Sequence, residues 1–348
     1  MSETRRPEPI KVGLVGAGAV AQVAHIPAYR RLRSVELVAL CDAESPKLRA
    51  LRERTGVATA VAELDDLLAL EDLDAVDICL PTHLHKDAVV RALEAGKHVL
   101  CEKPLAPTPG EVEEILVAQR KSGKAVLVGM NNRYRDDSIL LKRFVEDGAL
   151  GDVFYVRGGW LKRRERIRPD TWHYRSDTAG GGVMMDLGIH LLDLALWLTG
   201  YPEVERVSAS FWRHKPEIEV EDSAAATVRC AGDLTIAFEA SWHFLMDADR
   251  HEMRLHGSEG SGLLNPLRVY QRMHGNLVNV TPQSERRMGN IYMESYEREI
   301  AYFGEVVAGR EETPPLEENL VLARAVEAIR RSAETGREIA SVGGASAE

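Results

Sequence analysis

Residues 10–21 read IKVGLVGAGAVA, a short apolar strand that leads directly into a glycine-rich turn. The turn has the form GxGxxA, with Gly16, Gly18 and Ala21 at the small positions. The first glycine permits a tight turn, the second lets backbone approach a pyrophosphate, and the third small residue brings helix against strand. A helix that starts at Ala19 and Val20 would hold the pyrophosphate at its N-terminus. The alternative is a packing turn without a ligand, but the strand before it and the helix after it favour a dinucleotide site.

The segments that follow alternate between strand-like and helix-like patterns. The predicted strands are 12–15, 35–41, 75–80, 98–101 and 125–128, and the predicted helices are 20–32, 46–55, 63–70, 83–95 and 109–122. Near-continuous apolar strands joined by helices indicate a parallel sheet that is covered on both faces. We therefore predict an α/β, doubly wound Rossmann domain over residues 9–130.

The pattern changes after residue 131. A helix over 137–146 precedes strands over 153–161, 204–212, 223–230, 234–242 and 251–257, and two helices over 293–307 and 318–335 close the chain. Several of these strands alternate apolar and polar residues, as an antiparallel sheet with one covered face does. The sequence predicts an α+β domain over residues 131–340.

Composition limits the classes of function. The chain has 348 residues and a formal net charge of −10, which argues against nonspecific nucleic-acid binding and against anionic membrane surfaces. We expect a cytoplasmic protein, because no apolar run is long enough to span a membrane and the N-terminus lacks a signal-peptide core. Its four cysteines are far apart without a CxxC pair, which indicates reduced, buried thiols and neither a disulfide frame nor a zinc site.

Asp42 ends the second predicted strand, 21 residues after Ala21. A carboxylate there accepts hydrogen bonds from the adenosine ribose hydroxyls and repels a 2′-phosphate. No arginine follows directly to hold that phosphate. The sequence therefore favours NAD over NADP, although a helix N-cap aspartate fits the same position.

A second chemical cluster lies on the predicted helix that follows three glycines at 180–182. Asp186, His190 and Asp193 are spaced i, i+4 and i+7 and share one helix face. An imidazole beside carboxylates can transfer protons near neutral pH. A zinc site completed by His173 or His243 is a second interpretation, and a capped or solvated helix is a third.

With the GxGxxA turn, three further motifs occur in the order that one family shows. They are Pro81-Thr82-His83-Leu84-His85, Glu102-Lys103-Pro104 and the Asp-x-Gly-x-His-x-x-Asp pattern of 186–193. From 10 to about 339 the chain resembles the glucose–fructose oxidoreductase/inositol dehydrogenase/MocA family. The resemblance implies an open-faced, mostly antiparallel second sheet, a cleft between the domains for nicotinamide and substrate, and a homodimer or homotetramer assembled through the sheet.

The resemblance also implies roles for single residues. Lys103 corresponds to the lysine that touches the substrate hydroxyl and the nicotinamide ribose, Asp186 to the carboxylate that orients the substrate, and His190 to the proton acceptor. The residues that correspond to the lining of the cofactor channel are Pro81, Thr82, His85 and Glu102. The family often has asparagine at the position of His83, so this sequence departs from the pattern there.

These roles predict an NAD-dependent dehydrogenase that acts on a sugar, polyol or related cyclic alcohol, without a metal. His190 would take the hydroxyl proton and Lys103 would stabilise the developing alkoxide. Two alternatives stay open. One is a non-catalytic dinucleotide sensor on the same fold, and the other is an enzyme that uses tightly bound NAD for redox-neutral glycoside cleavage or for coupled oxidation and reduction of two sugars.

The basic stretch 157–168 and the neighbouring loop supply candidates for substrate contact. Six of its twelve residues are Lys or Arg, which suits an acidic or phosphorylated sugar but equally a solvated strand end or an oligomer contact. The predicted contacts are Arg133, Arg163, Trp172 and His173.

Overall fold

The computed structural model describes residues 8–163, 171, 174–283, 289–340 and 342. Their contacts divide the chain into two compact units. The first contains described residues up to 106 together with 110–134 and 289–317, and the second contains 107–109, 135–283 and those from 318 onward. Trp172, His173, residues 164–168 of the basic stretch and the C-terminal residues 343–348 lie outside the described residues.

The first unit is built on a six-stranded sheet. Its strands are β1 (Ile10–Val15), β2 (Val35–Cys41), β3 (Thr59–Val61), β4 (Ala75–Ile78), β5 (His98–Glu102) and β6 (Val126–Gly129). All neighbours are parallel, in the order β3-β2-β1-β4-β5-β6. This is the strand order of a dinucleotide-binding Rossmann fold, and the order reverses between β1 and β4. The predicted doubly wound domain is confirmed.

Helices connect these strands. They are α1 (Ile26–Tyr29), which continues a π-helical turn over Ala21–His25, and α2 (Ser45–Thr55), α3 (Leu64–Leu68), α4 (His85–Glu94) and α5 (Pro109–Ser122). Short 3₁₀ turns cover Thr82–Leu84 and Asn131–Tyr134. Strand residues such as Val12 and Leu14, which point to the same face of the sheet, are fully buried in an apolar core.

One late helix, α9 (Ile291–Val307), belongs to the first unit. The predicted boundary at residue 130 put it in the second domain, whereas its contacts place it in the first. Ile300 and Phe303 are fully buried in the Rossmann core, and Gly304 lies against Val35 of β2. The helix returns because its apolar face covers one face of the parallel sheet, which sequence order alone does not reveal.

The second unit is built on a nine-stranded sheet. Its strands are β7 (Val153–Leu161), β8 (Val204–Trp212), β9 (Ser223–Cys230), β10 (Thr235–Ser241), β11 (Arg250–Gly257), β12 (Gly260–Leu264), β13 (Arg268–Met273), β14 (Asn276–Asn279) and β15 (Ile339–Ala340). The order is β14-β13-β12-β11-β7-β10-β9-β8-β15, antiparallel throughout except for the parallel pair β7 and β10. The mostly antiparallel sheet is as predicted.

The remaining helices are α6 (Asp136–Glu146), α7 (Ser176–Ala179), α8 (Ile189–Leu198) and α10 (Glu317–Thr335). α8 packs on β7 and β10, and the large side chains of Phe238 on β10 and of Trp242, which directly follows β10, are buried. The apolar face of β10 therefore meets a helix of its own unit.

All four cysteines are free and buried, as predicted. In the part of the chain that the structure describes, every helix is too short or too polar to cross a bilayer.

Candidate active site

The glycine-rich turn is shaped by close backbone contacts. Gly16 has a φ of +91°, and a Cβ atom there would lie 2.6 Å from the carbonyl oxygen of Cys79, so only glycine fits. At Gly18 the same construction meets nothing closer than 3.8 Å, which leaves this side of the turn open. Ala21 begins the π-helical turn and is fully buried against the sheet. The turn therefore has the shape that a pyrophosphate requires.

Asp42 is tied to that turn. Its Oδ2 accepts a 2.7 Å hydrogen bond from the backbone amide of Ala17, and its Oδ1 accepts one of 2.8 Å from the amide of Glu44. The sequence analysis missed Lys47, whose Nζ lies 3.5 Å from Asp42 Oδ2 and 3.0 Å from Glu44 Oε1. Burial by itself lowers the pKa of Lys47, but the two carboxylates raise it above its ordinary value. Asp42 and Glu44 thus share the single ammonium group of Lys47, which leaves a surplus of negative charge beside the turn.

The Glu-Lys-Pro segment at the end of β5 is held by buried groups on both sides of Lys103. The Lys103 amide donates to Glu102 Oε2 at 3.1 Å. Downstream, His85 Nδ1 lies 2.7 Å from the carbonyl oxygen of Pro104, while its Nε2 lies 2.8 Å from that of Leu80. Burial lowers the pKa of His85, against the two carbonyls that raise it. Both ring nitrogens of His85 thus lie within hydrogen-bond distance of backbone carbonyl oxygens, and the ring lies between the end of β4 and the Lys103–Pro104 turn.

The other predicted cofactor residues lie beside His85. Thr82 is buried and begins the 3₁₀ turn that leads into α4, and the half-buried Pro81 directly precedes that turn. His83, at the position where this sequence departs from the family pattern, is exposed. The structure thus brings these residues to the same edge of the parallel sheet as Gly16 and Glu102, where doubly wound sheets bind ligands.

A buried network that the sequence analysis missed lies under this edge. His25 Nδ1 is 2.7 Å from Asp77 Oδ2, and His25 Nε2 is 2.9 Å from Glu102 Oε1. The hydroxyl of Tyr29 donates to Asp77 Oδ2 at 2.9 Å. The partners of His25 are 52 and 77 residues away in the chain, so no local pattern announces the network. The one available signal is His25 itself, which stands four residues after Ala21 on the dinucleotide helix.

In the second unit, the three glycines before the predicted catalytic helix serve contact with another chain segment. A Cβ atom on Gly182 would lie 2.0 Å from the carbonyl oxygen of Glu221. The half-buried carboxylate of Glu221 accepts hydrogen bonds from the amides of Gly182 at 2.9 Å and Met184 at 3.1 Å. Burial raises the pKa of Glu221 despite these bonds. Glu221 caps the π-helical turn Met184–Gly188 that leads into α8.

The three polar residues of this helix have different neighbours. Asp186 Oδ2 accepts a 2.9 Å hydrogen bond from Nε1 of the buried Trp242. The His190 ring lies 5.7 Å from that of Trp160, and the hydroxyl of Tyr201 donates to Asp193 Oδ1 at 2.9 Å. The bond to Tyr201 supports a structural role for Asp193.

Within the described residues this helix shows no zinc site, and His173, one of the two histidines that could complete one, lies outside them. Within the described ranges, the group of three His, Cys, Asp or Glu side chains whose ligand atoms lie within 4.8 Å of one another is His25, Asp77 and Cys79, in the first unit. Asp186, His190, Asp193 and His243 form no such group there. The two nitrogens of His25 are already within hydrogen-bond distance of carboxylates.

Two of the four predicted substrate contacts are described. Arg163 is exposed, and it binds the 247–249 loop through its amide to Asp249 Oδ1 at 2.8 Å and through Nη1 to the Asp247 carbonyl at 2.9 Å. Arg133 is buried in the 3₁₀ turn Asn131–Tyr134 of the first unit. Neither arrangement by itself identifies a substrate.

Comparison with known proteins agrees with this geometry. Residues 10–130 match an oxidoreductase family with an NAD-binding Rossmann fold, and residues 139–262 match the GFO/IDH/MocA C-terminal domain. D-glucoside 3-dehydrogenase of Escherichia coli is 29% identical over 97% of this chain and 99% of its own. Levoglucosan dehydrogenase of Pseudarthrobacter phenanthrenivorans is 26% identical over 74% and 73%. The crystal structure of aldose-aldose oxidoreductase from Caulobacter crescentus superposes with a TM-score of 0.83, at 26% identity over 96% and 100%.

Proposed function

This chain belongs to the glucose–fructose oxidoreductase/inositol dehydrogenase/MocA family of NAD-binding oxidoreductases, and we propose that it oxidises a hydroxyl carbon of a sugar, polyol or related cyclic alcohol. The observation that carries the proposal is the arrangement around Lys103. The side chain of Glu102 accepts the backbone amide of Lys103, and His85 lies against the carbonyl of Pro104. Both contacts are at the edge of the sheet where the glycine-rich turn lies. Relatives named as dehydrogenases of sugars support the substrate class.

The residues of the first unit fit a dinucleotide. Gly16 permits the tight turn, Gly18 leaves room for a pyrophosphate, Asp42 offers a carboxylate to the ribose, and Thr82, His85 and Glu102 lie at the same sheet edge. When bound, the nicotinamide ring supplies the acceptor for the hydride. The chain itself has to bind the alcohol, orient it and remove its hydroxyl proton.

We assign that proton transfer to His190. As the hydride leaves the carbinol carbon, the hydroxyl O–H bond breaks, the proton passes to a ring nitrogen of His190 and the C–O bond becomes a carbonyl. Lys103 stabilises the negative charge that develops on the oxygen. Asp186, held by Trp242, orients the substrate.

The surroundings of Asp42 support NAD as the cofactor over NADP. Asp42 and Glu44 share the single ammonium group of Lys47, so a 2′-phosphate would meet surplus negative charge there. We expect Asp42→Ala to lower the KM for NADP relative to that for NAD. An unchanged ratio would show that the preference has another source.

The test of the proposed function is a panel of sugars, inositols and uronates assayed by NAD reduction. At least one is expected to be oxidised, and Lys103→Ala and His190→Ala are each expected to lower turnover by about 100-fold or more. Wild-type turnover in either variant would refute the assigned mechanism.

The substrate panel, together with gel filtration, separates this function from a dinucleotide sensor and from an enzyme that recycles its cofactor. A dinucleotide sensor binds NAD but oxidises nothing in the panel. An enzyme that recycles its cofactor keeps NAD bound through gel filtration and converts sugars without net NADH.

We further propose that the chain forms a homodimer or homotetramer through one face of the nine-stranded sheet. Away from α8, strands β7 to β10 present mostly small side chains in register, among them Ser208, Thr227 and Ala237. A shallow groove of about 570 Å³ follows this face. Opposite charges such as Arg157 and Glu239, 3.9 Å apart, suit a self-complementary contact between two copies.

A further inference from the structure

The network around His25 has a property that ordinary buried histidines lack, because both ring nitrogens face carboxylates. Asp77 Oδ2 lies 2.7 Å from Nδ1 and Glu102 Oε1 lies 2.9 Å from Nε2. A neutral imidazole has one N–H and could donate to only one of them. With both carboxylates ionised, two bonds of these lengths require an imidazolium that donates twice.

The electrostatics agree with that protonation state. Burial by itself lowers the pKa of His25, but the charge of Asp77 and the hydrogen bond to it raise that pKa well above its ordinary value. Burial by itself raises the pKa of Glu102, but the hydrogen bond to His25 and the charge of His25 hold it below its ordinary value. The cation and its two anions are fully or nearly fully buried, so each depends on the others for its charge.

The hydrogen bonds from His25 to Asp77 and Glu102, called the imidazolium bridge below, join two strands at the carboxyl end of the sheet. Asp77 lies on β4 and Glu102 is the last residue of β5. The second carboxylate oxygen of Glu102 accepts the amide of Lys103. A continuous series of hydrogen bonds therefore runs from Asp77 on β4 through the imidazolium and Glu102 to the backbone amide of Lys103.

We propose that His25 is a positioning residue for the hydride-transfer reaction. Its imidazolium, hydrogen-bonded to both carboxylates, fixes Glu102 and thereby the backbone from which Lys103 reaches the substrate. This inference rests on the proposed function, since Lys103 matters only if it acts on a substrate. His85 holds the other side of the lysine through Pro104, so the segment is clamped from both ends.

Other ionisable groups face the bridge from each element packed against it. Tyr29 on α1 donates to Asp77, Cys79 follows β4, and α9 contributes Tyr296 and Glu299. Burial raises the pKa of each of these four groups and so favours their uncharged forms. The charges nearby are Arg133 and Lys103, and His25 is the cation bonded to both carboxylates.

The first experiment measures the charge directly. In ¹⁵N-resolved NMR of the whole protein, both ring nitrogens of His25 should carry protons, with shifts that stay constant between about pH 6 and pH 9. A neutral ring at pH 7 would overturn the proposal. This measurement does not depend on activity, so it stands even if no substrate in the panel is oxidised.

The second experiment uses the dehydrogenase assay with His25→Gln, which keeps much of the volume but removes the charge. We expect kcat to fall by about 10- to 100-fold while the KM for NAD changes by less than about 3-fold. Asp77→Asn should act in the same direction. The double variant His25→Gln/Glu102→Gln should be no slower than the slower single variant, because both changes break one linkage.

Tyr29→Phe is the matched control, because it removes a bond to Asp77 but leaves the imidazolium bridge intact. It should keep more than about half of wild-type kcat. A folded His25→Gln or Asp77→Asn protein with wild-type kcat overturns the positioning role. If His25→Gln does not fold, Asp77→Asn decides, and a drop in NAD affinity alone, with kcat unchanged, also overturns it.

Discussion

Glu299 shows how strongly a single residue can depend on its surroundings. It lies on the buried face of α9, and within the described residues neither of its carboxylate oxygens makes a hydrogen bond. Burial, and after it the charge of Glu102, raises its pKa well above the ordinary value of 4.5. An ionised carboxylate without a partner would be costly in this place, so the folded protein favours the protonated form of Glu299.

This protonation makes stability depend on pH. An unfolded chain ionises Glu299 above about pH 4.5, whereas the raised pKa lets the folded chain keep the proton to higher pH, so the free energy of unfolding falls as pH rises above 4.5. Glu299→Gln removes that loss. Relative to the wild type, the variant should gain on the order of 1 kcal/mol or more between pH 4 and pH 8, measured by urea unfolding at both pH values. A stability difference that does not change with pH would contradict a raised pKa.

Gly182 illustrates a steric requirement at the same scale. A methyl group there would meet the Glu221 carbonyl at 2.0 Å, and backbone cannot easily move away. Gly182→Ala should therefore lower the free energy of unfolding by about 1–3 kcal/mol or more. Gly110→Ala is the control, because it lies in α5 with nothing within 4 Å of the added carbon and should be neutral or stabilising. Equal effects in the two variants, measured by urea unfolding, would contradict the clash.

Single residues were predictable from sequence where their role is local. The GxGxxA turn follows a strand and opens a helix, so Gly16 was readable from its neighbours in the chain. His25 was not, because its two partners come from β4 and β5, far away in sequence. For the glycines at 180–182, the sequence predicts a close backbone approach but does not identify the approaching residue, which is Glu221.

At the scale of elements, the helical segment 184–198 takes its orientation from the strand beneath it. Trp242 follows β10 directly, is 1% exposed, and donates its indole N–H to Asp186. Tyr174 packs edge-on against the same indole at 5.3 Å. Trp242 therefore anchors the carboxylate that the proposed mechanism uses to orient substrate.

Trp242→Phe tests that anchor. The variant keeps an aromatic ring but loses the donor, so we expect kcat to fall by about 10-fold and the free energy of unfolding to fall by about 1–3 kcal/mol. Trp212→Phe is the control for kcat, since that tryptophan is 44% exposed and lines the groove on the opposite face of the sheet. It should leave kcat close to wild type. Equal kcat in Trp242→Phe and wild type would argue that Asp186 needs no indole donor.

Strand boundaries were predictable where apolar and polar residues alternate within the strand's own sequence. The sequence predicts 153–161, 204–212 and 223–230, and these are the bounds of β7, β8 and β9. It missed β12 to β14, whose residues are rich in glycine, arginine and asparagine and lie at the sheet edge. Such strands form because β11 offers hydrogen bonds, and that template is not visible in their own sequence.

At the scale of the molecule, two facts about assembly lie beyond local patterns. The contacts of α9 place it with the first unit although it follows the second sheet in sequence, because its apolar face completes the Rossmann core. The sheet of the second unit has α8 on one face and a surface of small and charged residues on the other. We proposed above that a second copy covers this surface.

Ala225→Arg tests the assembly, because Ala225 lies at the centre of that face, opposite Ser210 on β8 and Glu239 on β10. A long charged side chain there would hold the two sheets apart, and charged side chains are disfavoured at the centre of such contacts. We expect the wild type to sediment as a dimer or tetramer and the variant as a monomer at the same concentration, by analytical ultracentrifugation. Val117→Arg is the control, since Val117 is 65% exposed on α5 of the first unit, and it should sediment like the wild type. A monomeric wild type, or an Ala225→Arg protein with the wild-type mass, would place the contact elsewhere or remove it.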